Sequence, residues 1–225
     1  AYTISVRRDD EGRGGSLHLH KSIKVGDEIK ISKPVNLFSL DLRAKKHLMI
    51  AGGIGITPFL AQIKQLDRDH GNWELHYSCR SEELGSYVDY LTSTHPNDVS
   101  VYYDDQKQAI NLVQLLDGQP LGTHIYICGP KGMIDWVRSK AVEMGWPRES
   151  IHYEEFLAPQ PGKPFEVKLS LSNKIIQVGE SESLLEAIER AGVDAPYLCR
   201  GGACGMCETS VIDYSGNFIH RDHWL

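Results

Sequence analysis

Hydrophobic and polar positions alternate most regularly over residues 43–158, where short apolar runs of strand length occur at 47–51, 73–79, 99–103 and 124–128. Each run ends in polar or glycine-containing sequence. Apolar residues at three- and four-residue spacing follow the first and last runs, as they do on the buried face of a helix. Strands that alternate with helices predict a parallel, doubly wound sheet.

Start and stop signals bound the two predicted helices. The first has Thr57 as its N-cap, Pro58 at the first helical position and a stop at Gly71. The second opens at Pro130 and ends at Gly145, because glycine readily adopts the left-handed conformation that closes a helix.

The residues before and after this region carry period-two patterns, which predict strands. In residues 1–42 the alternation occurs at 2–7 and 29–31, around a turn at 26–27. So short a stretch cannot bury a core alone, so we interpret it as the end of a larger β-domain. After a Pro/Gly linker at 159–164, the pattern predicts a hairpin of strands 165–171 and 175–178.

A predicted helix with a capping box, Ser183 and Glu186, leads into a cysteine loop. Cys199, Cys204 and Cys207 have the spacing C-x4-C-x2-C, by which plant-type ferredoxins hold a [2Fe–2S] cluster. Glycines between them allow the backbone to fold closely around sulfide. Hairpin, helix and cysteine loop in this order predict a ferredoxin-type domain over residues 165–225 that transfers single electrons.

Two other interpretations of the cysteines stay open at this point. Cys204 and Cys207 could hold zinc together with His220 and His223, although this is not a common zinc pattern. Disulfides are disfavoured because the chain has five cysteines, an odd number. A cluster of this type needs a fourth thiolate, and we expect it downstream of Leu225, because the two remaining cysteines lie within predicted strands.

Three glycine-containing segments predict phosphate contacts. Residues 51–58 join a strand to a helix whose first N–H groups are free, and residues 128–130 occupy the corresponding place after a later strand. Both would face one crevice at the carboxyl edge of the sheet, which favours a dinucleotide site. Residues 12–16, Gly-Arg-Gly-Gly-Ser, are typical of a phosphate nest or of a flexible turn.

Composition narrows the function classes. The 225 residues are 41% hydrophobic and 24% charged, with a net charge of −6, which argues against nucleic-acid binding. No apolar run approaches the ~20 residues of a membrane span. No signal peptide is visible, and Ala1 is not a native start, so we expect a shortened N-terminus and a cytoplasmic protein with reduced cysteines.

The ordered set of motifs, from Gly-Arg-Gly-Gly-Ser through Ala-Gly-Gly-Ile-Gly-Ile-Thr-Pro, Cys-Gly-Pro and Glu-Phe to C-x4-C-x2-C, resembles the phthalate dioxygenase reductase family over the whole chain. This family includes vanillate O-demethylase reductases and reductase modules fused to haem-thiolate monooxygenases. Residues 219–222 are similar to the Asp-His-Arg-Asp that the family shows after its third cysteine. The family's upstream Arg-x-Tyr-Ser motif is absent, and we expect it before Ala1.

The resemblance implies a multidomain α/β and α+β protein. Residues 1–42 would end an FMN-binding antiparallel β-barrel, residues 43–158 would form a ferredoxin–NADP reductase-like NAD(P)-binding domain, and residues 165–225 a plant-type ferredoxin (β-grasp) domain. It also implies a set of cofactor-binding residues: Arg13, Gly14, Gly15 and Ser16 at the FMN phosphate; Gly53 and Gly55 at the pyrophosphate; Thr57, Pro58, Cys128, Gly129 and Pro130 around the nicotinamide; Phe156 at the flavin ring; and Cys199, Cys204 and Cys207 on iron.

Catalytic roles are expected for Thr57, Cys128 and Phe156, with Cys128 positioning the nicotinamide rather than acting as a nucleophile. The resemblance implies hydride transfer from NAD(P)H to FMN, followed by transfer of single electrons to the cluster and then to an oxygenase. The oxygenase would be either Rieske-type or a partner or fused haem-thiolate monooxygenase.

The preference between NADH and NADPH depends on the residues after the second strand. An acidic group there would suit the free ribose hydroxyl of NADH, whereas Arg80 with Ser81 would suit the 2′-phosphate of NADPH. Arg80 could also stack on adenine. We favour NADH. A ferredoxin-type carrier without NAD(P)H oxidation and a zinc-stabilised interaction module are the alternatives.

Overall fold

The computed structural model describes residues 2–31, 33–156, 162–202 and 204–219. The chain divides into two compact units, Ala1–Phe156 and Leu157–Leu225. Among the described residues, no helix has both the length and the apolar character needed to cross a membrane.

The first unit contains a sheet of five strands, all parallel, in the order β3-β2-β1-β4-β5. The strands are β1 Lys46–Gly52, β2 Trp73–Cys79, β3 Val99–Tyr103, β4 Thr123–Cys128 and β5 Ile151–Glu154. The four apolar runs in the sequence therefore form strands as predicted. The edge strand β5 was not predicted, because its four residues alternate without an apolar run.

The described helices of this unit are α1 Gly15–Lys21, α2 Thr57–Asp69, α3 Val88–Thr94, α4 Leu112–Asp117 and α5 Lys131–Glu143. Short 3₁₀ turns cover Gly53–Ile56, Asp104–Gln106 and Arg148–Ser150. Side chains from α2 and α5 are buried in two separate apolar clusters, each formed with alternate residues of the strands. Helical cover on both faces of a parallel sheet confirms the doubly wound class.

The ends of α2 differ by one residue from the prediction. Thr57 is the first helical residue and Ile56 the N-cap, because the 3₁₀ turn before the helix already has helical geometry. At the other end His70 adopts φ 53° and is the C-cap, while the Gly71 N–H donates to the Leu66 carbonyl at 2.8 Å.

The strands predicted at 2–7 and 29–31 are absent, and that prediction was wrong. The described part of residues 2–42 contains one helix, α1, and no strand. Alternation marks a strand only where a neighbouring strand accepts its hydrogen bonds, and no described strand lies beside these residues. The predicted turn at 26–27 does form, since Gly26 has φ 100° and the Asp27 N–H donates to the Lys24 carbonyl.

The second unit contains the predicted hairpin and helix. Strands β6 Phe165–Leu169 and β7 Lys174–Val178 pair antiparallel, and α6 Leu184–Arg190 follows. The first strand is two residues shorter than predicted. Both hydrogen bonds of the capping box form, between Ser183 and Glu186. In the described part of this unit, four residues form the buried core: Ile176, Val178, Ala187 and Ile188.

Candidate functional site

The two glycine loops predicted to face one crevice meet at the carboxyl ends of β1 and β4, where Ala51 pairs with Cys128. A Cβ on Gly55 would lie 2.2 Å from the Cys128 carbonyl oxygen, and one on Gly52 would lie 2.6 Å from Met133 Sδ. A Cβ on Gly129 would lie 3.0 Å from the Gly52 nitrogen. These glycines are therefore needed for close contact between the loops themselves.

Gly53 has a different role from Gly55. It adopts φ 55°, a left-handed conformation that favours glycine, and no atom lies within 4 Å of the position its Cβ would take. The Gly53 carbonyl accepts a hydrogen bond from the Tyr77 hydroxyl at 3.0 Å. Of the two glycines assigned to the pyrophosphate, Gly53 is thus the one whose surroundings leave room for a ligand.

Tyr77 is a site residue that sequence reasoning missed. Its ring is fully buried, and burial raises the pKa of its hydroxyl, so it stays a hydrogen-bond donor to the glycine loop. Its only signal in the sequence is an inward-facing position on β2, which any core tyrosine shares.

The start of α2 is held by a side-chain hydrogen bond. Thr57 Oγ1 donates to the Ile54 carbonyl at 3.0 Å, and Pro58 occupies the first turn, where its missing N–H leaves no gap in the helix. Thr57 thereby fixes the turn from glycine loop to helix. This places Thr57 and Pro58 at the same sheet edge as Gly53.

Cys128 ends β4 with its side chain fully buried. Burial, with a smaller contribution from the charge of Glu154, raises the pKa of the Cys128 thiol to about 12. Glu154 is its partner in the β4–β5 register, and burial raises the pKa of this carboxyl too. At neutral pH Cys128 is a thiol, which agrees with a positioning role and not with a nucleophile. Phe156, two residues after Glu154, is 51% exposed.

Arg80 follows β2 at the same edge of the sheet and is exposed. Its carbonyl accepts a hydrogen bond from the Asp105 N–H at 3.1 Å.

The predicted phosphate nest lies at the start of α1. Gly14 has φ 91°, Gly15 begins the helix, and the Ser16 hydroxyl accepts from the Asp9 N–H at 3.0 Å. Arg13 directly precedes these glycines.

The cysteine loop has a backbone suited to close turns around a metal centre. Arg200, Gly202 and Gly205 adopt positive φ angles of 57°, 71° and 71°. The Gly201 N–H donates a hydrogen bond to the Cys199 sulfur, with 3.4 Å between N and Sγ. All three cysteines are partly exposed. Three thiol ligands and an N–H donor to sulfur in one short loop fit an iron–sulfur cluster.

Arg200 ties this loop to α6. Its guanidinium forms hydrogen bonds with both Glu189 carboxylate oxygens, at 3.0 and 2.5 Å, and lies 4.0 Å from the centre of the Tyr197 ring. His220 and His223, the zinc ligands of the alternative interpretation, lie outside the described residues, as does most of the motif at 219–222.

Comparison with known families and structures decides the family. Residues 28–151 match the N-terminal domain of the dimethylamine monooxygenase subunit DmmA-like family, and residues 167–223 match the 2Fe-2S iron-sulfur cluster binding domain. The phthalate dioxygenase reductase of Burkholderia cepacia is 36% identical over 230 residues, which are 98% of this chain and 70% of that protein. The chain belongs to the phthalate dioxygenase reductase family. Membership confirms the predicted oxidoreductase class and a [2Fe–2S] ferredoxin domain.

Other known proteins are similar too. The heme-dependent oxidative N-demethylase beta subunit of Ectopseudomonas mendocina (strain ymp) is 45% identical over 224 residues, 100% of this chain and 72% of that protein. The solved phthalate dioxygenase reductase, described as a modular structure for electron transfer from pyridine nucleotides to [2Fe-2S], superposes with a TM-score of 0.82 at 35% identity, over 98% of this chain and 70% of that one.

An intact type IV self-sufficient cytochrome P450 monooxygenase superposes with a TM-score of 0.72 at 34% identity, over 96% of this chain and 29% of that chain. Together these matches confirm the predicted fold class and the predicted FMN, nicotinamide and [2Fe–2S] cofactors. The assignment of residues 1–42 to the end of a flavin domain remains a prediction. The assignment of individual residues to those cofactors remains a prediction.

Proposed function

We propose that this chain is the reductase of an oxygenase system and takes electrons from NADH for delivery through its [2Fe–2S] cluster. The observation that carries the proposal is the meeting of two strand-end glycine loops at the switch point of a doubly wound sheet, in the same chain as a C-x4-C-x2-C loop. When bound, FMN converts the two electrons of a hydride into single electrons that a [2Fe–2S] cluster can carry.

The chain's own residues bind and orient the nicotinamide in this proposal. Gly53 leaves room for the pyrophosphate, and Tyr77 and Thr57 hold the glycine loop in one shape by hydrogen bonds to its carbonyls. Cys128 supplies a neutral, buried wall beside Glu154, which excludes water from the end of β4. Phe156 lies two residues after the end of β5, and its exposed ring is available to stack on a flavin.

NADH is preferred over NADPH in this proposal. The segment after β2 places Glu82 and Glu83 close to Arg80, and carboxylates there would hydrogen-bond a free ribose hydroxyl and repel a 2′-phosphate. Roles for Arg13, Gly14, Gly15 and Ser16 at the FMN phosphate rest on their position at the start of α1 and on the family resemblance.

The acceptor is an oxygenase that acts on an amine-type substrate. Support comes from the relatives: an oxidative N-demethylase subunit at 45% identity, a carnitine monooxygenase reductase subunit of Acinetobacter baumannii at 43%, and the dimethylamine monooxygenase family match. A cytoplasmic location fits the odd number of cysteines, five, and the cluster-type spacing of three of them.

An anaerobic titration with NADH, followed by visible absorption, tests the central proposal. Bleaching of the flavin band together with loss of the broad iron–sulfur bands is the expected result. The same titration with NADPH should require a higher concentration. A coloured cluster that responds to neither nucleotide would instead identify a ferredoxin-type carrier.

Cys128→Ser tests the positioning role. The variant should slow flavin reduction by NADH in single-turnover stopped-flow, by roughly tenfold for a loss of about 1.4 kcal/mol in alignment, with unchanged flavin content. Cys79→Ser is the matched control, because Cys79 is also buried at a strand end but lies on β2. Equal rates in the two variants would remove Cys128 from the mechanism.

A further inference from the structure

Three metal-ligating side chains converge at the amino edge of the sheet, the edge opposite to the glycine loops. They are Asp41, in the segment that leads into β1, His124 at the start of β4 and His152 at the start of β5. One ligand atom of each lies within 4.8 Å of the others. His124 Nδ1 is 2.9 Å from His152 Nε2 and 3.9 Å from Asp41 Oδ2.

The fold fixes this cluster from several directions. His152 pairs with Tyr126 in the β4–β5 register, and their rings stack at 4.6 Å. The Tyr126 hydroxyl accepts a hydrogen bond from the Asp41 N–H at 2.8 Å, which places the aspartate beside the two imidazoles. The side chains of His124 and Asp41 are only 13% and 15% exposed. The three ligands are therefore held in place by strand register and by packing.

The contact between the two imidazole nitrogens needs one shared proton, because two lone pairs at 2.9 Å would repel each other. A cation can take the place of that proton. Two imidazoles and one carboxylate form a ligand set typical of zinc and other first-row divalent ions, with room for water in a further position. We propose that Asp41, His124 and His152 bind a divalent cation of the Zn²⁺ class.

Arg43 competes with a cation for the aspartate. Its Nε donates to both Asp41 oxygens, at 3.0 and 3.2 Å, but its side chain is 80% exposed and can turn into solvent. His47 lies beside His124 in the β1–β4 register. Among the described residues, the group whose ligand atoms all lie within 4.8 Å of one another is Asp41, His124 and His152, so the site is assigned three protein ligands. Arg43 therefore sets the affinity of the site, and its removal should tighten cation binding.

The site would act on stability and not on the electron-transfer chemistry. Asp41 belongs to the segment before the sheet, whereas His124 and His152 belong to two adjacent strands within it. A bound cation would join all three and would be lost when the first unit unfolds. Binding that requires the folded state raises its stability.

Equilibrium dialysis of the full-length holoprotein against Zn²⁺, with metal analysis, measures the site. His124→Gln should bind one zinc per chain fewer than the parent protein and than the control His95→Gln. His95 is a suitable control because it also pairs with a carboxylate: its Nε2 lies 3.4 Å from Asp67 Oδ2. Among the described residues, however, His95 belongs to no group of three metal-ligating side chains. Iron analysis of each sample excludes displacement of cluster iron.

Arg43→Gln gives an independent result that does not depend on losing a ligand. It should keep the zinc stoichiometry and tighten binding roughly tenfold, because the guanidinium that competes for the Asp41 carboxylate is removed. Zinc should also raise the melting temperature of the parent protein but not that of His124→Gln. Equal zinc binding by the parent protein and His124→Gln, with unchanged affinity in Arg43→Gln, would overturn the proposal.

Discussion

The five-stranded sheet buries complete side chains on both faces, while the two-stranded sheet of the second unit covers a core of four buried residues. Among the described residues, the twelve largest fully buried side chains, which include Tyr77, Tyr126 and Phe59, all belong to the first unit. Because hydrophobic stabilisation scales with the apolar area removed from water, the core of the first unit contributes far more free energy to folding than the core of the second.

The candidate sites follow the same contrast. The two glycine loops are held in place by close packing of their backbones at Gly55 and Gly129. Left-handed residues and an ion pair between Arg200 and Glu189 shape the cysteine loop, and exposed ion pairs stabilise by less than about 1 kcal/mol. We expect the nucleotide site to be formed without its ligand and the cysteine loop to depend on iron.

Replacement of a cluster ligand should give the largest effect. Cys204→Ser removes one thiolate from the loop, so we expect cluster iron to fall to background and the loop to become susceptible to proteolysis. Flavin reduction by NADH should continue. Iron analysis and limited proteolysis measure this, with Cys79→Ser as the variant that keeps its iron. Retention of iron by Cys204→Ser would break the contrast between the units.

Among substitutions that add a single methyl group to the sheet unit, Gly55→Ala should lower the free energy of unfolding the most. The new Cβ would lie 2.2 Å from the Cys128 carbonyl oxygen, which belongs to the backbone and cannot rotate away. We expect a loss of about 3 kcal/mol in the free energy of unfolding, measured by urea denaturation. Gly132→Ala is the control, because its Cβ meets nothing within 4 Å and alanine favours the helix α5.

Glu74 makes the stability of the sheet unit depend on pH. The nearby His76 imidazole, whose Nε2 lies 3.9 Å from Glu74 Oε1, and then contacts with Lys46 and Gln119 lower the pKa of the Glu74 carboxyl to about 2. Because the folded-state pKa lies below the unfolded value, its stabilisation is present above pH ~4.5 and is lost as pH falls towards ~2.

Glu74→Gln should therefore cost about 1 kcal/mol at pH 7, a value reduced for solvent screening of a side chain that is 28% exposed. The cost should vanish near pH 2. Urea denaturation across that range measures it. A pH-independent difference between the two proteins would show that the charge of Glu74 is not what stabilises the fold.

Ser183→Ala should give the most local effect, confined to the second unit. The Ser183 hydroxyl accepts from the Glu186 N–H at 3.2 Å, and loss of such a cap destabilises by about 1 kcal/mol. In a small core this should appear as faster hydrogen exchange in α6, with no change in the sheet. Ser181→Ala, at an exposed position before the helix, is the control. Equal protection in both variants would mean that the cap contributes nothing.

The sequence predicted elements well wherever burial dominates. The strand 47–51 and its glycine loop were recognisable because a central parallel strand is apolar on both faces. β5 was missed because Ile151–Glu154 is a short edge strand with polar residues. The strands predicted at 2–7 and 29–31 failed for the opposite reason, since alternation says nothing about whether a partner strand is present.

Site prediction depended on whether the residues are close in sequence. Cys199, Cys204 and Cys207 lie in one loop, so spacing alone reveals them. His124 and His152 are 28 residues apart and meet only through the strand order β4-β5. The packing role of Gly55 was equally invisible, because the atoms it contacts belong to another loop.

The distribution of cysteines has a practical consequence for measurement. Cys79 and Cys128 are buried with raised pKa values, while the other three are partly exposed in the loop. After iron is removed, a chromogenic thiol reagent should modify the three loop cysteines quickly and the two strand cysteines only when the sheet opens. One reaction trace thus separates the reactivity of the exposed cysteine loop from the rate at which the sheet opens, in the same sample and without any added label.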